Sequence, residues 1–579
     1  MDDKTSANDF SLALIGSGGA GVMTAGQVLL DAAVANGWYG LMTRSTGPQI
    51  RGGEAAAILR LDQRPVDGQA DRIDLLVALD FEQAERFASE LILDEHSRVL
   101  ADPAAGPLPG WIESSGAELL PVPFSTLVAE HRGVRVNSIA IGLVTGLLGL
   151  DPPQAQASLT DLFQSKGSRL LDSALAGLKL GLEAASGLPG FELTKPPAPA
   201  SKRWLLTGNE AIGYGALAGG IRFCAAYPIT PSTEIQEWLA GALPTVGGAL
   251  VQAEDELASI NMVIGASFGG TPAMTATSGP GLSLMIEALG LATAAEVPLL
   301  VVDVMRGGPS TGIPTKSEQS DLNLALFGVH GDAPRLVLAP NSLADCASSA
   351  QWSVELAERL QCPALLLSDQ FLGQARAVID APALAETGAV RKVSEADPLD
   401  YRRFALTADG ISPMAIPGTP GGAWTATGLS HQTSGRPSTL AADHWAQLEK
   451  RKHKLEAYDY GPRWADIEGN GETAIISFGS ITGTCREACA RLLYQGHEIR
   501  LISLRLLSPL RRRDLVQALQ GVNNTLVVEQ NHGGQLYRYL RAELDLPGQV
   551  TSLANPGPLP FRPGEIVDAI LELNKALAA

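Results

Sequence analysis

Five short stretches of this chain place polar groups at the ends of apolar runs. Gly16-Ser17-Gly18-Gly19-Ala20-Gly21 follows an apolar run over 11–15 and precedes a helical pattern over 22–35. Backbone N–H groups in such a loop can cradle a phosphate at a helix N-terminus, and a purely structural tight turn fits the same residues. Tyr227-Pro228-Ile229-Thr230-Pro231-Ser232 lies between an apolar run and a helix starting near residue 233. Its two prolines set the loop backbone and leave the Thr230 hydroxyl positioned, with an N-cap turn as the plainer reading. Glu254-Asp255-Glu256 opens a small-residue helical run over 257–268. One acid there can serve the helix dipole, but three acids against an apolar helix are costly if buried, which gives at least one of them a task. Thr277-Ser278-Gly279-Pro280-Gly281-Leu282 is a second strand-to-helix glycine loop. Arg306-Gly307-Gly308-Pro309-Ser310-Thr311-Gly312 follows an apolar strand over 298–304, and Lys316, Glu318, Gln319 and Asp321 continue that loop. An arginine at the C-terminal end of a parallel strand lies where α/β proteins bind ligands; a solvated loop is the alternative.

The elements that must position these groups follow from periodicity. Strands are expected over 11–15, 55–61 and 74–79, and an apolar helix over 139–150, giving an α/β domain over 1–187. Residues 188–203 hold Pro189, Pro196, Pro197 and Pro199 among small residues and read as a linker. A second α/β domain spans 204–375, with strands over 298–304 and 364–367. Residues 376–470 are rich in Gly, Pro, Ser and Thr, with a charged helical piece over 442–456, and form a connecting segment. A last α/β domain spans 471–579, with strands over 473–477, 499–503 and 525–529. The fold class is therefore multidomain α/β, with abundant Gly and Ala suited to helices packed closely on parallel strands.

With 579 residues the chain is too long for one core. A net charge of −19 leaves no basic footprint for nucleic acid, and Arg511-Arg512-Arg513 is too short to supply one. Cys224, Cys346, Cys362, Cys485 and Cys489 are scattered; a cluster or zinc site needs about four ligands from paired motifs, so these read as core thiols and no metal site is expected. The apolar stretch over 282–305 is broken by Glu287, Glu296, Pro298 and Asp303, which predicts a buried helix and strand and no membrane span. Met1-Asp2-Asp3-Lys4 lacks the basic and apolar regions of a signal peptide, so a cytoplasmic location is expected. NAD is disfavoured, because Tyr39-Gly40-Leu41-Met42-Thr43-Arg44 offers no acid for a ribose.

Taken together these motifs resemble the 2-oxoacid:ferredoxin oxidoreductase family, specifically an α subunit with a γ domain fused in front. The resemblance covers nearly the whole chain. It adds Arg51-Gly52-Gly53, Gly265-Ala266, Asp409-Gly410-Ile411-Ser412-Pro413 and Val528-Glu529-Gln530-Asn531 to the stretches above, in one order and spacing. It implies a thiamine diphosphate enzyme that decarboxylates a 2-oxoacid oxidatively, passes electrons through iron–sulfur clusters to ferredoxin and transfers the acyl group to coenzyme A. Reductive carboxylation, the direction of a reductive tricarboxylic acid cycle, is also implied.

The resemblance also implies roles. Glu256, in register with Gly265-Ala266, matches the glutamate that activates the aminopyrimidine; Tyr227, Pro228, Ile229, Ser278 and Gly279 would line the same cofactor. Thr230 and Arg306 match positions that hold the oxoacid end of the substrate. Lys316, with Thr315 beside it, offers a second charge for a distal carboxylate, and the stretch 308–316 looks like the 2-oxoglutarate branch. The domain over 204–375 is then the pyrimidine-binding domain and that over 471–579 is transketolase C-terminal-like. In the γ-like domain, Gly18, Gly19, Gly21, Ser45 and Arg51 would face coenzyme A. Met414 departs from the family pattern, where a basic residue is common.

Neither a Gly-Asp-Gly motif nor a set of cluster cysteines is present; Gly331-Asp332-Ala333 is not one. The diphosphate, Mg2+ and 4Fe–4S sites are therefore expected on a partner β subunit, in an (αβ)2 heterotetramer that serves ferredoxin. Pyruvate, branched-chain or broad 2-oxoacid specificity stands as the alternative within the family, and a non-catalytic scaffold subunit as the alternative outside it.

Overall fold

A computed structural model describes residues 9–47, 53–198, 201–313, 316–385, 388, 390–398 and 400–578. The chain divides into two compact units, residues 1–206 with 374–381, and residues 207–373 with 382–579.

The first unit is built on an eight-stranded sheet. Its order is Glu118–Pro121, Arg98–Ala101, Leu75–Ala78, Asp9–Ser17, Glu54–Asp62, Tyr39–Thr46, Arg376–Asp380 and Arg203–Thr207. Strand β1 (Asp9–Ser17) runs parallel to Leu75–Ala78 but antiparallel to Glu54–Asp62. An antiparallel strand thus separates β1 from the strand that follows helix α1 (Val22–Ala35), which is not the parallel dinucleotide arrangement. The core forms where α1 and the helices Val136–Leu147 and Ser168–Ala185 cover one sheet face. Residues 203–207 and 376–380, which read from sequence as the start of one segment and of another, both end in this sheet. Their β character is local, but their partners lie far off in sequence.

The second unit carries a seven-stranded sheet in the order Leu506–Ser508, Leu336–Leu338, Pro363–Asp369, Leu299–Met305, Ala273–Thr277, Phe223–Ala226 and Ala249–Gln252. All pairs are parallel except the first. The strands Ala273–Thr277 (β2), Leu299–Met305 (β3) and Pro363–Asp369 (β4) are buried along their whole length, as a sheet covered on both faces requires. Helices α2 (Glu256–Phe268) and α3 (Gly279–Ala294) flank the ends of β2. A five-stranded sheet, parallel but for its first strand Ala465–Glu468, completes the unit.

The connecting segment is pinned by charge. Helix α4 (Ala441–Glu456) sends Lys450 and Lys454 to the carboxylate of Glu296, at 2.6 and 3.1 Å, all three side chains being buried. Arg403 donates to the Glu296 carbonyl, and Ser412 receives Lys450 and donates to the Arg403 carbonyl. These cations hold Glu296 ionised well below the usual carboxylate range, against the effect of its burial. Nearby, buried Arg391 pairs with Glu358 at 2.7 Å and lies against the Met414 sulfur. Met414, the departure from the family pattern, is itself fully buried. No helix among the described residues is long and apolar enough to cross a membrane.

Candidate active site

The acidic triplet resolves into three different positions. Asp255 is the N-cap of α2, its side chain accepting from the Ala258 amide at 2.7 Å. Glu254 and Asp255 are exposed, whereas Glu256, the first helical residue, is 7% exposed. The Glu256 side chain lies over the first turn of α3. A Cβ at Gly281 would stand 2.8 Å from its Cγ and Oε1 and 2.1 Å from the Thr277 hydroxyl, so only glycine fits there. No hydrogen bond to the Glu256 carboxylate is seen among the described residues. Beside it Ser278, the buried N-cap of α3, also has no partner for its hydroxyl among those residues. An unengaged carboxylate at the mouth of a glycine-lined turn fits the ring nitrogen of an aminopyrimidine.

Arg306 begins the loop after β3. It meets the loop of residues 227–232, Nη1 donating to the Thr230 carbonyl at 2.7 Å. Its Nε is buried without a partner among the described residues. The Thr230 side chain is exposed beside it, Tyr227 is 40% exposed, and Pro228 and Ile229 are half-buried. Gln236 fixes the Tyr227 carbonyl and Ser232 the Ile229 carbonyl, which holds that loop to the following helix Thr233–Ala242.

The loop from Arg306 closes on itself. The Gly307 amide donates to the Lys316 carbonyl at 3.0 Å and the Ile313 amide to the Gly307 carbonyl at 3.1 Å. Gly312 has φ +66°, and a Cβ there would strike the Gly307 carbonyl oxygen, so the turn demands glycine. Lys316 is thereby fixed at the same strand end as Arg306. Thr315 and Arg51 lie outside the described residues. Beyond Lys316 the loop is locked by the last sheet: the Gln319 amide donates to the Gln530 carbonyl, the Gln530 amide to Gln319 Oε1, and Asn531 Nδ2 to the Gln319 carbonyl. That places the motif Val528-Glu529-Gln530-Asn531 as the support of the site loop. Glu529 in turn accepts from the amides of Leu536 and Tyr537.

Two acids are less visible in the sequence. Asp303 lies inside β3, wholly buried, and Asp321 follows the loop with its Oδ2 against Gly279. Asp303 is a mere interruption in an apolar run until the sheet places it beside the other groups.

In the first unit, Gly19 and Gly21 line a cavity of about 440 Å3 with Arg135, Asn137, Lys166 and Ser173. Gly21, the N-cap of α1, has φ +87°, and a Cβ there would stand 2.3 Å from Asn137 Nδ2. Asp80 secures the loop by accepting from the Ser17 amide and hydroxyl. Gly18 is turned to the Gly53 carbonyl at 2.6 Å, and the Ser45 hydroxyl donates to Glu90 at 2.8 Å, away from the cavity wall. Arg135 and Lys166, the cations of this cavity, carry no motif by which sequence alone marks them.

Comparison with known proteins bears on both sites. Residues 214–451 match the family described as pyruvate flavodoxin/ferredoxin oxidoreductase, thiamine diphosphate-binding, and residues 11–184 the family pyruvate ferredoxin/flavodoxin oxidoreductase. The solved structure of 2-oxoglutarate:ferredoxin oxidoreductase from Magnetococcus marinus, with 2-oxoglutarate, coenzyme A and succinyl-CoA bound, is 36% identical, with a TM-score of 0.91 over 98% of this chain and 99% of that one. The chain belongs to the 2-oxoacid:ferredoxin oxidoreductase family. Subunit alpha of 2-oxoacid:ferredoxin oxidoreductase 2 from Aeropyrum pernix is 31% identical over 93% of this chain and 94% of its own length. The 2-oxoglutarate synthase subunit KorA of Methanothermobacter marburgensis is 35% identical over 64% of this chain and 99% of its own. As a 2-oxoacid:ferredoxin oxidoreductase subunit the chain is part of an oxidoreductase that works with thiamine diphosphate, and the thiamine-binding match spans Thr230, Glu256, Arg306 and Lys316.

Proposed function

We propose that this chain is the α subunit of a 2-oxoglutarate:ferredoxin oxidoreductase, oxidatively decarboxylating 2-oxoglutarate to succinyl-CoA with reduction of ferredoxin, or running the reverse carboxylation. The observation that carries this reading is one strand end holding two cations, Arg306 bonded to the Thr230 carbonyl and Lys316 closing the same loop. A monocarboxylic 2-oxoacid needs one such charge; a dicarboxylic one uses both. Thiamine diphosphate supplies the electron sink for decarboxylation when bound. Glu256 would hold its aminopyrimidine, with Tyr227, Pro228, Ile229, Ser278 and Gly279 around the ring. Arg306, with Thr230, would orient the shared oxoacid end, each charge-assisted bond contributing about 1.5–3 kcal/mol. Lys316 and Thr315 would read the distal carboxylate.

The Mg2+, diphosphate and 4Fe–4S sites are assigned to a β subunit in an (αβ)2 assembly with ferredoxin as acceptor. The apolar residues turned to solvent around the site support that assignment: Leu257, Met262 and Leu284 on α2 and α3 are 51%, 42% and 50% exposed, and the edge strand Ala249–Gln252 leaves Val251 bare. Coenzyme A is assigned to the cavity at Gly19 and Gly21, where Arg135 and Lys166 offer charge to its phosphates.

The test is co-expression with the β subunit and a panel of 2-oxoacids. Lys316→Met keeps the stem and removes the charge. kcat/KM for 2-oxoglutarate should fall by ~2–4 kcal/mol, about 30- to 1000-fold, with pyruvate nearly unaffected. Arg306→Met should harm every 2-oxoacid alike. A Lys316→Met enzyme that loses both substrates in equal proportion would show that Lys316 does not read the distal carboxylate. A broader 2-oxoacid specificity is the second reading, favoured by the general substrate in the name of the Aeropyrum pernix relative; it predicts comparable wild-type kcat/KM for 2-oxoglutarate and pyruvate.

A further inference from the structure

Asp303 is the one carboxylate set inside β3, between Thr277 of β2 and Leu367 of β4. It is wholly buried, and neither of its oxygens has a hydrogen-bond partner among the described residues. An ionised carboxylate with no donor in a dry interior is too costly to keep, and such a group holds a proton instead. Asp321 stands with it at the same end of the sheet. Its Oδ2 is buried, also without a partner among the described residues, and pressed on Gly279, where a Cβ would lie 2.5 Å away. Beside Gly279, Ser278 is also fully buried with a hydroxyl that finds no partner among those residues. So many unsatisfied polar atoms at one strand end mark a place built for something other than packing.

We infer that Asp303 and Asp321 form a carboxyl pair in which Asp303 keeps its proton and Asp321 exchanges one, and that the charge on Asp321 sets how firmly Arg306 takes the carboxylate of a 2-oxoacid. The inference rests on the reading of Arg306 as the carboxylate clamp. Every element packed on Asp321 contributes to its charge balance. Glu318 on its own loop opposes ionisation and Arg306 at the end of β3 favours it, while Asp303, which keeps its proton, adds no charge of its own. The first turn of α3 brings Ser278 and Gly279, with the Glu256 side chain from α2 lying over Gly281, and the helix Gln535–Glu543 brings Gln535, which holds the Ser320 carbonyl. Burial, then Glu318, lift the Asp321 carboxyl to about 7, and burial with Asp321 as neighbour lifts Asp303 well above the carboxylate range. Protonated, Asp321 leaves the Arg306 guanidinium to the substrate. Ionised, it competes for that guanidinium and repels the incoming carboxylate. The proton lost by Asp321 goes to solvent as pH rises; no other bond changes.

In the assembled αβ enzyme, kcat/KM for 2-oxoacids should fall roughly tenfold from about pH 6 to about pH 8, as Asp321 ionises. Asp321→Asn should abolish that fall. Glu318→Gln, which removes a like charge, should move it to lower pH, and it tests the pair even if the first variant fails to assemble. Independently of turnover, the infrared difference between wild type and Asp303→Asn at neutral pH should show the C=O stretch of a protonated carboxyl. Absence of that band, or a fall unchanged in both pH variants, overturns the inference while leaving the clamp intact. If Arg306→Met does not weaken 2-oxoacid use, the clamp reading fails and takes this inference with it, whatever the infrared band shows.

Discussion

Glu256 illustrates how much a single position owes to its neighbours. Three acids in a row are equivalent by composition, and spacing to Gly265-Ala266 alone prefers the third. The helix start separates them physically: Asp255 is spent on the cap, Glu254 faces water, and Glu256 turns over Gly281. A carboxylate left without a partner at such a turn is available to a ring nitrogen. Glu256→Gln keeps the shape and removes the ionisable group. In the assembled enzyme, exchange of the cofactor's acidic ring proton, followed by NMR after quenching, should slow by ~10²–10⁴-fold, while Glu254→Gln leaves it unchanged. The reverse pattern would move the role to Glu254. Asp303 shows the opposite case. Within an apolar run an aspartate reads as a break, and nothing local reports that the sheet sets it beside Thr277, at the end of a neighbouring strand, within the influence of Asp321.

Among elements, those with a local period were readable and those defined by distant partners were not. The glycine loop and α1, the strand–helix–strand run through β2, α3 and β3, and α4 all follow from apolar spacing and loop residues. The strands Arg203–Thr207 and Arg376–Asp380 were not assignable to the first sheet, because a short strand carries no mark of its partner. Nor did the sequence tell why Asp409-Gly410-Ile411-Ser412-Pro413 and α4 accompany the site. They meet at Glu296, where Lys450, Lys454 and Ser412 form one buried network against the helix that ends beside β3. Glu296→Gln leaves two buried ammonium groups without their counter-charge and should destabilise the second unit by about 3–5 kcal/mol in denaturant melts. The pH dependence has a definite sign. The folded-state titration of Glu296 lies below its unfolded value, so its contribution is fully present above the ordinary carboxylate range and is lost progressively as pH falls from that range toward the lower folded value. The wild type should therefore lose more stability than Glu296→Gln on acidification, and parallel acid profiles of the two would rule this out.

For the whole molecule, the decisive fact is what the chain's chemistry-bearing groups leave undone. Its five cysteines are dispersed: Cys224 on the strand Phe223–Ala226, Cys346 and Cys362 near the two ends of one helix, and Cys485 with Cys489 on another, four of them buried. Burial pushes the thiols of Cys224 and Cys489 up to about 12, away from the thiolate that iron requires. Among the described residues no group of three or more metal-ligating side chains comes together. Meanwhile the groups proposed to recognise an oxoacid and an aminopyrimidine stand at strand ends, with bare apolar residues around them. Under the proposed assignment, electron transfer falls to a partner subunit and substrate recognition to this chain. The isolated subunit should be colourless, bind no stoichiometric iron or sulfide, and fail to reduce a viologen dye with any 2-oxoacid. It should nonetheless retain coenzyme A binding through Gly19, Gly21, Arg135 and Lys166, readable by calorimetry and weakened about tenfold or more when Lys166 and Arg135 are both changed to Met. Iron and sulfide in stoichiometric amount in the purified chain would show that the division is wrong. Calorimetric dissociation constants of the free chain and of the αβ complex should agree within about twofold, since every residue lining this cavity belongs to the first unit.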